Sequence, residues 1–397
     1  MKILFKSILA VTMSVISIQA QAFVSEMKKI KLSDGEKTTA RLCLPEKGQV
    51  NTLVVTIQGT GPYTYLTKRK RFNYNDVLAE GFCEKGVGYF TYNRRGVDLS
   101  DDPPHFDKVN KKKYAKALPH IEVEDIETMI TFLKNDQRFK NCKIILYGIS
   151  EGTIIASMVA ERKKVQIDAL FLHGYAHENM FDIIKWQNSG EGAMILINSL
   201  FDQDGDGVLE RWEYEYNFNP PKGVSLKWES NSCNSDNLKI AAYRKYFFKD
   251  LPFDSVDVNE DGIIDATDIH ALQARTMQGD VQERLMEKIA ENDGDWIWNN
   301  YVRVTIAWLR EHFALEPNKT RLLKIDIPIY IFHGKDDANV PAESVYDLEV
   351  RFKTCNKSNL KIFVFDYHNH DLNFQDWITE KEYSEGLQKL FDTAAEI

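Results

Sequence analysis

Positive charge is in short supply in this sequence. The 50 lysines and arginines face 59 aspartates and glutamates, a formal charge of −9 at pH 7. Nucleic acids and anionic membrane surfaces are bound by clustered cations, so an acidic chain is a poor partner for either. Cysteine is also scarce. The five, Cys43, Cys83, Cys142, Cys233 and Cys355, fall at spacings that suit no zinc site. Beyond the first 22 residues no apolar run approaches a membrane span. There is no low-complexity linker and no repeat of solenoid length. What is left is a chain of 397 residues, enough for one large core and an insertion.

The N-terminus, "MKILFKSILAVTMSVISIQAQA", carries Lys2 and Lys6, then an apolar run, then Ala20-Gln21-Ala22. That order predicts a secretory signal peptide over residues 1–22 with an A-x-A cleavage site. Its removal takes away two lysines and no acids, so the charge moves from −9 to −11. An exported chain, secreted or periplasmic, meets an oxidising compartment, where its cysteines have the chance to form up to two disulfides.

Residues 147–152 read "YGISEG", with Gly148, Ser150 and Gly152 in the spacing G-x-S-x-G. Upstream, Lys143 to Tyr147 is apolar without alternation, as in a strand buried on both faces. Downstream, Ile154, Ile155, Met158 and Val159 recur at helical spacing. The motif therefore sits between a strand and a helix, where a nucleophilic serine on a tight turn would sit. Other strands are expected in a hairpin over 28–44 and at 52–59, 87–93, 168–174, 327–334 and 360–366. Helices are expected over 65–84, from "IEVEDIETMITFLKND", and from "EKEYSEGLQKLFDTAA" near the C-terminus. This alternation implies an α/β chain with a mostly parallel sheet and helices on both faces, its chemistry at the strands' carboxyl ends. The alternation stops between about Tyr175 and Arg321, which reads as a helical insertion.

Four separated segments resemble the α/β-hydrolase superfamily, in its order. They are the Ser150 elbow, "IQGTGP" at 57–62, "NRRGVDLS" at 93–100 and "HGKDDANVP" at 333–341, followed by "YHNHDL". The resemblance implies an α/β-hydrolase fold in two core parts, 23–176 and 321–397, with a helical cap at 177–320. It also implies an acyl-enzyme mechanism with Ser150 as nucleophile, Asp337 as acid and His370 as base. Asp336 and His368 are the weaker alternatives to the last two. The oxyanion would be held by the backbone N–H groups of Thr60 and Glu151. Gln58, Asn93 and Asp98 depart from the family's His, Asp and Gly. Arg95 is expected to tie loops together rather than clamp a substrate carboxylate. In the family's strand order, the end of "ARLCL" and the strand near Val87 bring Cys43 and Cys83 to one edge, which implies a disulfide between them.

Inside the insertion, "DQDGDGVLERWE" from Asp202 matches an EF-hand loop: Asp202, Asp204 and Asp206, Gly207, the Val208 carbonyl, Glu210 and Glu213 at position twelve. "DVNEDGIIDATD" from Asp257 repeats it with Asp257, Asn259, Asp261, the Ile263 carbonyl, Asp265 and Asp268, and resembles the dockerin type of loop. Two structural calcium ions are expected, with Leu209 and Ile264 pairing the loops. The expected function is a carboxylic ester hydrolase acting on a small-molecule ester. A serine aminopeptidase or acyl-peptide hydrolase acting on peptides is the alternative among enzymes. A non-catalytic calcium-dependent binding module is the alternative outside them.

Overall fold

The structure, a computed structural model, describes residues 23–218, 245–277 and 279–397. The expected signal peptide and Cys233 lie outside the described residues. Eight strands form the central sheet: β1 (Phe23–Lys31), β2 (Lys37–Pro45), β3 (Thr52–Ile57), β4 (Gly88–Tyr92), β5 (Lys143–Ile149), β6 (Ala169–His173), β7 (Ile329–Gly334) and β8 (Leu360–Phe365). Their spatial order is β1-β2-β4-β3-β5-β6-β7-β8. Strand β2 runs antiparallel to β1 and β4, and every other pairing is parallel. A mostly parallel sheet in this order is the one the α/β-hydrolase resemblance implies.

The unalternating apolar runs become strands buried on both faces. Every residue of β3, β4 and β6 is buried. On one face Leu53, Val55, Leu146 and Leu170 pack under the helices Pro119–Lys134 and Glu151–Arg162. On the other, Tyr89, Tyr147, Phe171 and Phe332 pack under Tyr74–Glu84 and Glu385–Glu396. Among the described residues no helix is long and apolar enough to cross a membrane.

Three expectations change. The helix foreseen over 65–84 begins only at Tyr74, because Lys68 and Asn73 pair across a turn and Thr67 takes a positive φ. The C-terminal helix foreseen from Glu380 begins only at Glu385, after a separate short helix; the two are Gln375–Glu380 and Glu385–Glu396. Lys381 turns left-handed between them, and Ser384 Oγ caps the second by accepting from the Leu387 N–H at 3.2 Å. The inferred Cys43–Cys83 disulfide is not formed. The strand pairing behind it holds, with Cys43 opposite Tyr89, but both cysteines are buried thiols. Cys43 Sγ lies 3.7 Å from Ser25 Oγ instead. Burial, little offset by Arg41, pushes the Cys43 thiol up to about 11.

The insertion runs between β6 and β7, and its described residues are helical apart from the short pairing of Leu209–Glu210 with Ile263–Ile264. It has two apolar centres. Met180, Ile184, Leu285, Ile297, Trp308 and Leu309 pack with Ile154 of the elbow helix, which seats this part of the cap on the sheet domain. Ile197, Phe201, Leu209, Phe248, Phe253 and Ile264 form a second, smaller centre between the two acidic loops.

Candidate active site

Strand β5 ends in the G-x-S-x-G turn. Ser150 has φ 55° and ψ −121°, outside the usual regions for a side-chain-bearing residue. Such strain persists only where the surroundings over-determine it. Here the Ser150 N–H donates to the His173 carbonyl at 2.9 Å, and the elbow helix follows at once. The flanking glycines are required by contact. A Cβ on Gly148 would lie 2.3 Å from the Gly152 carbonyl oxygen, and one on Gly152 would lie 2.3 Å from that of Ile57. Both obstacles are backbone and cannot rotate away. Gly152→Ala is therefore expected to push the elbow helix off β3, costing about 1–3 kcal/mol and most of the activity. A variant with unchanged melting temperature and turnover would show that the turn has slack.

His370 and Asp337 come from the loops after β8 and β7. Asp337 is fully buried. Its Oδ1 accepts from the N–H groups of Asn339 (2.8 Å) and Val340 (3.0 Å), and its Oδ2 lies 2.7 Å from His370 Nδ1. A carboxylate can only accept here, so Nδ1 carries the proton, and Nε2 makes no hydrogen bond to the carboxylate. Gly174 makes room for the ring, since a Cβ there would fall 2.6 Å from His370 Cε1. Ser150 and His370 line one cavity of about 480 Å³, with no hydrogen bond drawn between them. Thr60 and Glu151 line the same cavity. As the first residue of its helix, Glu151 has no carbonyl one turn back to take its N–H.

The alternatives fall elsewhere. Both ring nitrogens of His368 serve the fold, Nδ1 against the Asp366 carbonyl (2.9 Å) and Nε2 against the Gly386 N–H (3.2 Å). Asp336 makes no hydrogen bond to His370. Arg95 ties the turn after β1, through Asp34, to the helix Pro119–Lys134, through Asp125. Gln58 donates to Asn75 Oδ1 at 2.9 Å, an oxygen that the Tyr89 hydroxyl also donates to. Asn93 accepts from the Tyr65 N–H through Oδ1 at 2.8 Å.

Burial alone would push the His370 imidazole down. The Asp337 charge and hydrogen bond outweigh it and hold His370 at about 9. Asp337 itself is raised by burial and lowered further by His370, ending below the usual carboxylate range. His173, under the elbow, is pushed down to about 3 by burial and then by His370, so it stays neutral. Its Nδ1 lies 2.7 Å from the Tyr147 hydroxyl.

Sequence reading missed the side chain of Glu151. It is 1% exposed. Arg94, Trp308 and His312 surround it, each also buried. Burial raises its carboxyl, but Arg94 and then His312 and Trp308 hold it at about 2. The signal was there: a carboxylate one residue after the serine, inside an otherwise apolar helix start, needs a buried cation.

In the acidic loops, Leu209–Glu210 pairs antiparallel with Ile263–Ile264, placing Leu209 opposite Ile264. Carboxylate oxygens of Asp202, Asp204 and Asp206 lie within 4.8 Å of one another, as do those of Asp204, Glu210 and Glu213. Glu213 is buried across the loop mouth, accepting from the Gln203 and Glu210 N–H groups. Asp268 does the same in the second loop, accepting from Val258 (2.6 Å) and Asp265 (3.0 Å). Among the described residues the second loop makes no comparable carboxylate cluster.

No protein-family model matches the sequence. No curated protein matches it either. Solved structures with a similar chain outline include an esterase from Pyrococcus furiosus, 12% identical, TM-score 0.48, covering 95% of this chain and 92% of that one. An acylaminoacyl peptidase from Pyrococcus horikoshii is 12% identical, TM-score 0.47, over 95% of this chain and 41% of that one. A carboxyl esterase from Bacillus coagulans is 14% identical, TM-score 0.47, over 94% and 99%. Likeness at this level leaves the chemistry to be read from the site.

Proposed function

We propose that this chain is an exported serine hydrolase acting on carboxylic esters, with a calcium-stapled cap. The observation that carries it is the 2.7 Å contact of His370 Nδ1 with buried Asp337, beside a serine on a strained turn in the same cavity. Ser150 Oγ attacks the ester carbonyl while His370 Nε2 takes its proton. The oxyanion is received by the Thr60 and Glu151 N–H groups. His370 returns the proton to the departing alcohol, then takes one from a water whose oxygen attacks the acyl-enzyme carbonyl, and gives that proton to Ser150 Oγ as the acid departs. Phe72, Tyr74, Met180, Ile183 and Phe374 give the cavity an apolar wall for an acyl chain. An aminopeptidase needs carboxylates to receive an α-ammonium group. Of the two outside the triad that line the cavity, Glu151 is occupied by Arg94, Trp308 and His312. That leaves Asp371 alone and favours the ester.

The all-oxygen donor set of the loops fits a hard cation. Asp202, Asp204, Asp206, the Val208 carbonyl and Glu213 would hold one calcium. Asp257, Asn259, Asp261, the Ile263 carbonyl and Asp268 would hold the other. Bound there, calcium would neutralise the crowded carboxylates of the cap.

A fluorophosphonate probe with a panel of ester, thioester and aminoacyl substrates tests the reading. Labelling of Ser150 with ester turnover supports it. Labelling with aminoacyl turnover alone turns it to the peptidase, and no labelling leaves only a binding module. The pH profile is a further check. Only neutral His370 accepts the serine proton, so kcat/KM in the free enzyme is expected to rise about tenfold per pH unit and level off near pH 9. Asp337→Asn should move that midpoint down. Stability runs the other way: the His370–Asp337 pair contributes fully below about 6.5, the unfolded value, and is lost as pH rises through about 9. A plateau already complete at pH 6 would mean that Asp337 does not govern the base.

A further inference from the structure

A buried polar cluster lies behind the elbow, and the proton transfers above do not use it. At its centre is Arg94, which is 1% exposed. Its Nη1 donates to the Gly61 carbonyl at 3.0 Å. Its Nη2 and Nη1 reach the Glu151 carboxylate at 3.2 and 3.4 Å. Glu122 fixes the other side of the guanidinium, accepting from Nη2 at 2.8 Å and Nε at 3.3 Å, and is itself held by the Tyr63 hydroxyl at 2.6 Å. Tyr63 also lies under the guanidinium, with its ring centre 4.6 Å away.

The two acceptors of Arg94 are not arbitrary. Gly61 follows Thr60, and Glu151 follows Ser150. These are the two segments whose N–H groups would hold the oxyanion, and one planar cation is bonded to both. The cap adds a third tie. Trp308 Nε1 donates to Glu151 Oε1 at 2.9 Å, and His312 Nε2 lies 3.0 Å from the same oxygen. Both come from the helix Ile306–Ala314. Glu151 is held ionised, so both nitrogens donate to it.

We propose that Arg94 and Glu151, gripped from the cap by Trp308 and His312, are positioning residues that keep the two oxyanion donors in register. The oxyanion hole is then complete only while the cap helix is docked on the elbow. The argument from chemistry is one of precision. Transition-state donors act only when aimed to within a fraction of an ångström. A turn strained at Ser150 will not hold that aim by itself. This inference rests on the serine hydrolase reading.

The test compares Trp308→Phe and His312→Leu, which remove a donor each while keeping bulk, with His312→Gln, which restores one. Competent sites are counted by fluorophosphonate titration, so that loss of folded protein does not enter the rate. With a small activated ester, kcat per competent site should fall about 10- to 100-fold for the first two, with KM little changed. Affinity for an alkyl boronic acid, which forms a tetrahedral adduct on the serine, should fall by the same factor. His312→Gln should recover most of both. Full kcat and boronate affinity in Trp308→Phe and His312→Leu, with only a lower melting temperature, would overturn the proposal and leave the cluster as packing. A wild-type protein that no fluorophosphonate labels would overturn this and the hydrolase reading together.

Discussion

Ser150→Ala is expected to lower kcat by about a millionfold, the scale on which loss of a serine nucleophile acts, while the melting temperature barely moves. The two halves of that expectation have different causes. The Oγ makes no hydrogen bond to another protein group, so its removal breaks nothing in the fold. The strained backbone is held by the His173 carbonyl and by glycine-sized neighbours, which remain. Chemically, no second group stands ready to attack. His370→Ala should be nearly as damaging, because in the proposed mechanism Nε2 takes the serine proton. Asp337→Asn should cost about 10⁴-fold, by presenting the wrong tautomer. His368→Ala is the contrasting control. Its nitrogens serve the Asp366 carbonyl and the Gly386 N–H, so it should lower stability and spare kcat. Near wild-type turnover in Ser150→Ala would remove the elbow assignment, and the reverse order of the two histidines would transfer the role.

Chelation should unfold the smaller centre of the cap before the sheet domain. That centre packs Ile197 and Phe201 of the helix Glu191–Phe201 against Leu209 and Ile264 of the paired loops, beside the clustered carboxylates of the first loop. A cation bound only by the folded form stabilises it by about 2.7 kcal/mol at a hundredfold excess over Kd. The Glu213 loop should bind more tightly. Its twelfth residue is long enough for bidentate contact, and its carboxylates already cluster. Titration calorimetry of Glu213→Gln and Asp268→Asn ranks the two sites, and wild-type protein that takes up no calcium at millimolar concentration would reduce the loops to acidic turns. The kinetic effect should be selective. Gln187, in the helix before this centre, donates to the Asn339 carbonyl beside the acid loop at 2.9 Å, and Gly192 abuts the Ala338 carbonyl. Loosening these contacts should raise KM for bulky substrates. The Trp308–His312 grip belongs to the other cap centre, so kcat on small activated esters should survive.

Much of the site was legible because its parts are local. A G-x-S-x-G turn between an apolar strand and a helix, and an aspartate three residues before Val340-Pro341, are short patterns with one geometric use. The preference for His370 over His368 came from its place after the last strand; in the structure His370 meets Asp337, while His368 bonds to the Asp366 carbonyl and the Gly386 N–H. The loop pairing of Leu209 with Ile264 was likewise written in the position-eight residues of two matching loops. The thiol pair was misjudged for a reason of the same kind in reverse. Strand order brings Cys43 and Cys83 to one edge, yet it does not set the distance or direction of a strand side chain and a helix side chain relative to each other.

Sequence alone determined the layered sheet and the acidic loops, since each follows from periodicity or from residues within a dozen positions. Only the tertiary structure decided which charges meet. Glu151 and Trp308 are 157 residues apart, and Arg94 and Glu151 are 57 apart. Nothing in the spacing of such residues encodes their contact. It follows from where the cap helix lands on the elbow, which is set by the packing of Ile154, Met180, Ile297 and Leu309. Apolar burial chooses that docking without regard to direction. The buried charges around Glu151 then favour the arrangement in which Arg94, Trp308 and His312 all meet its carboxylate.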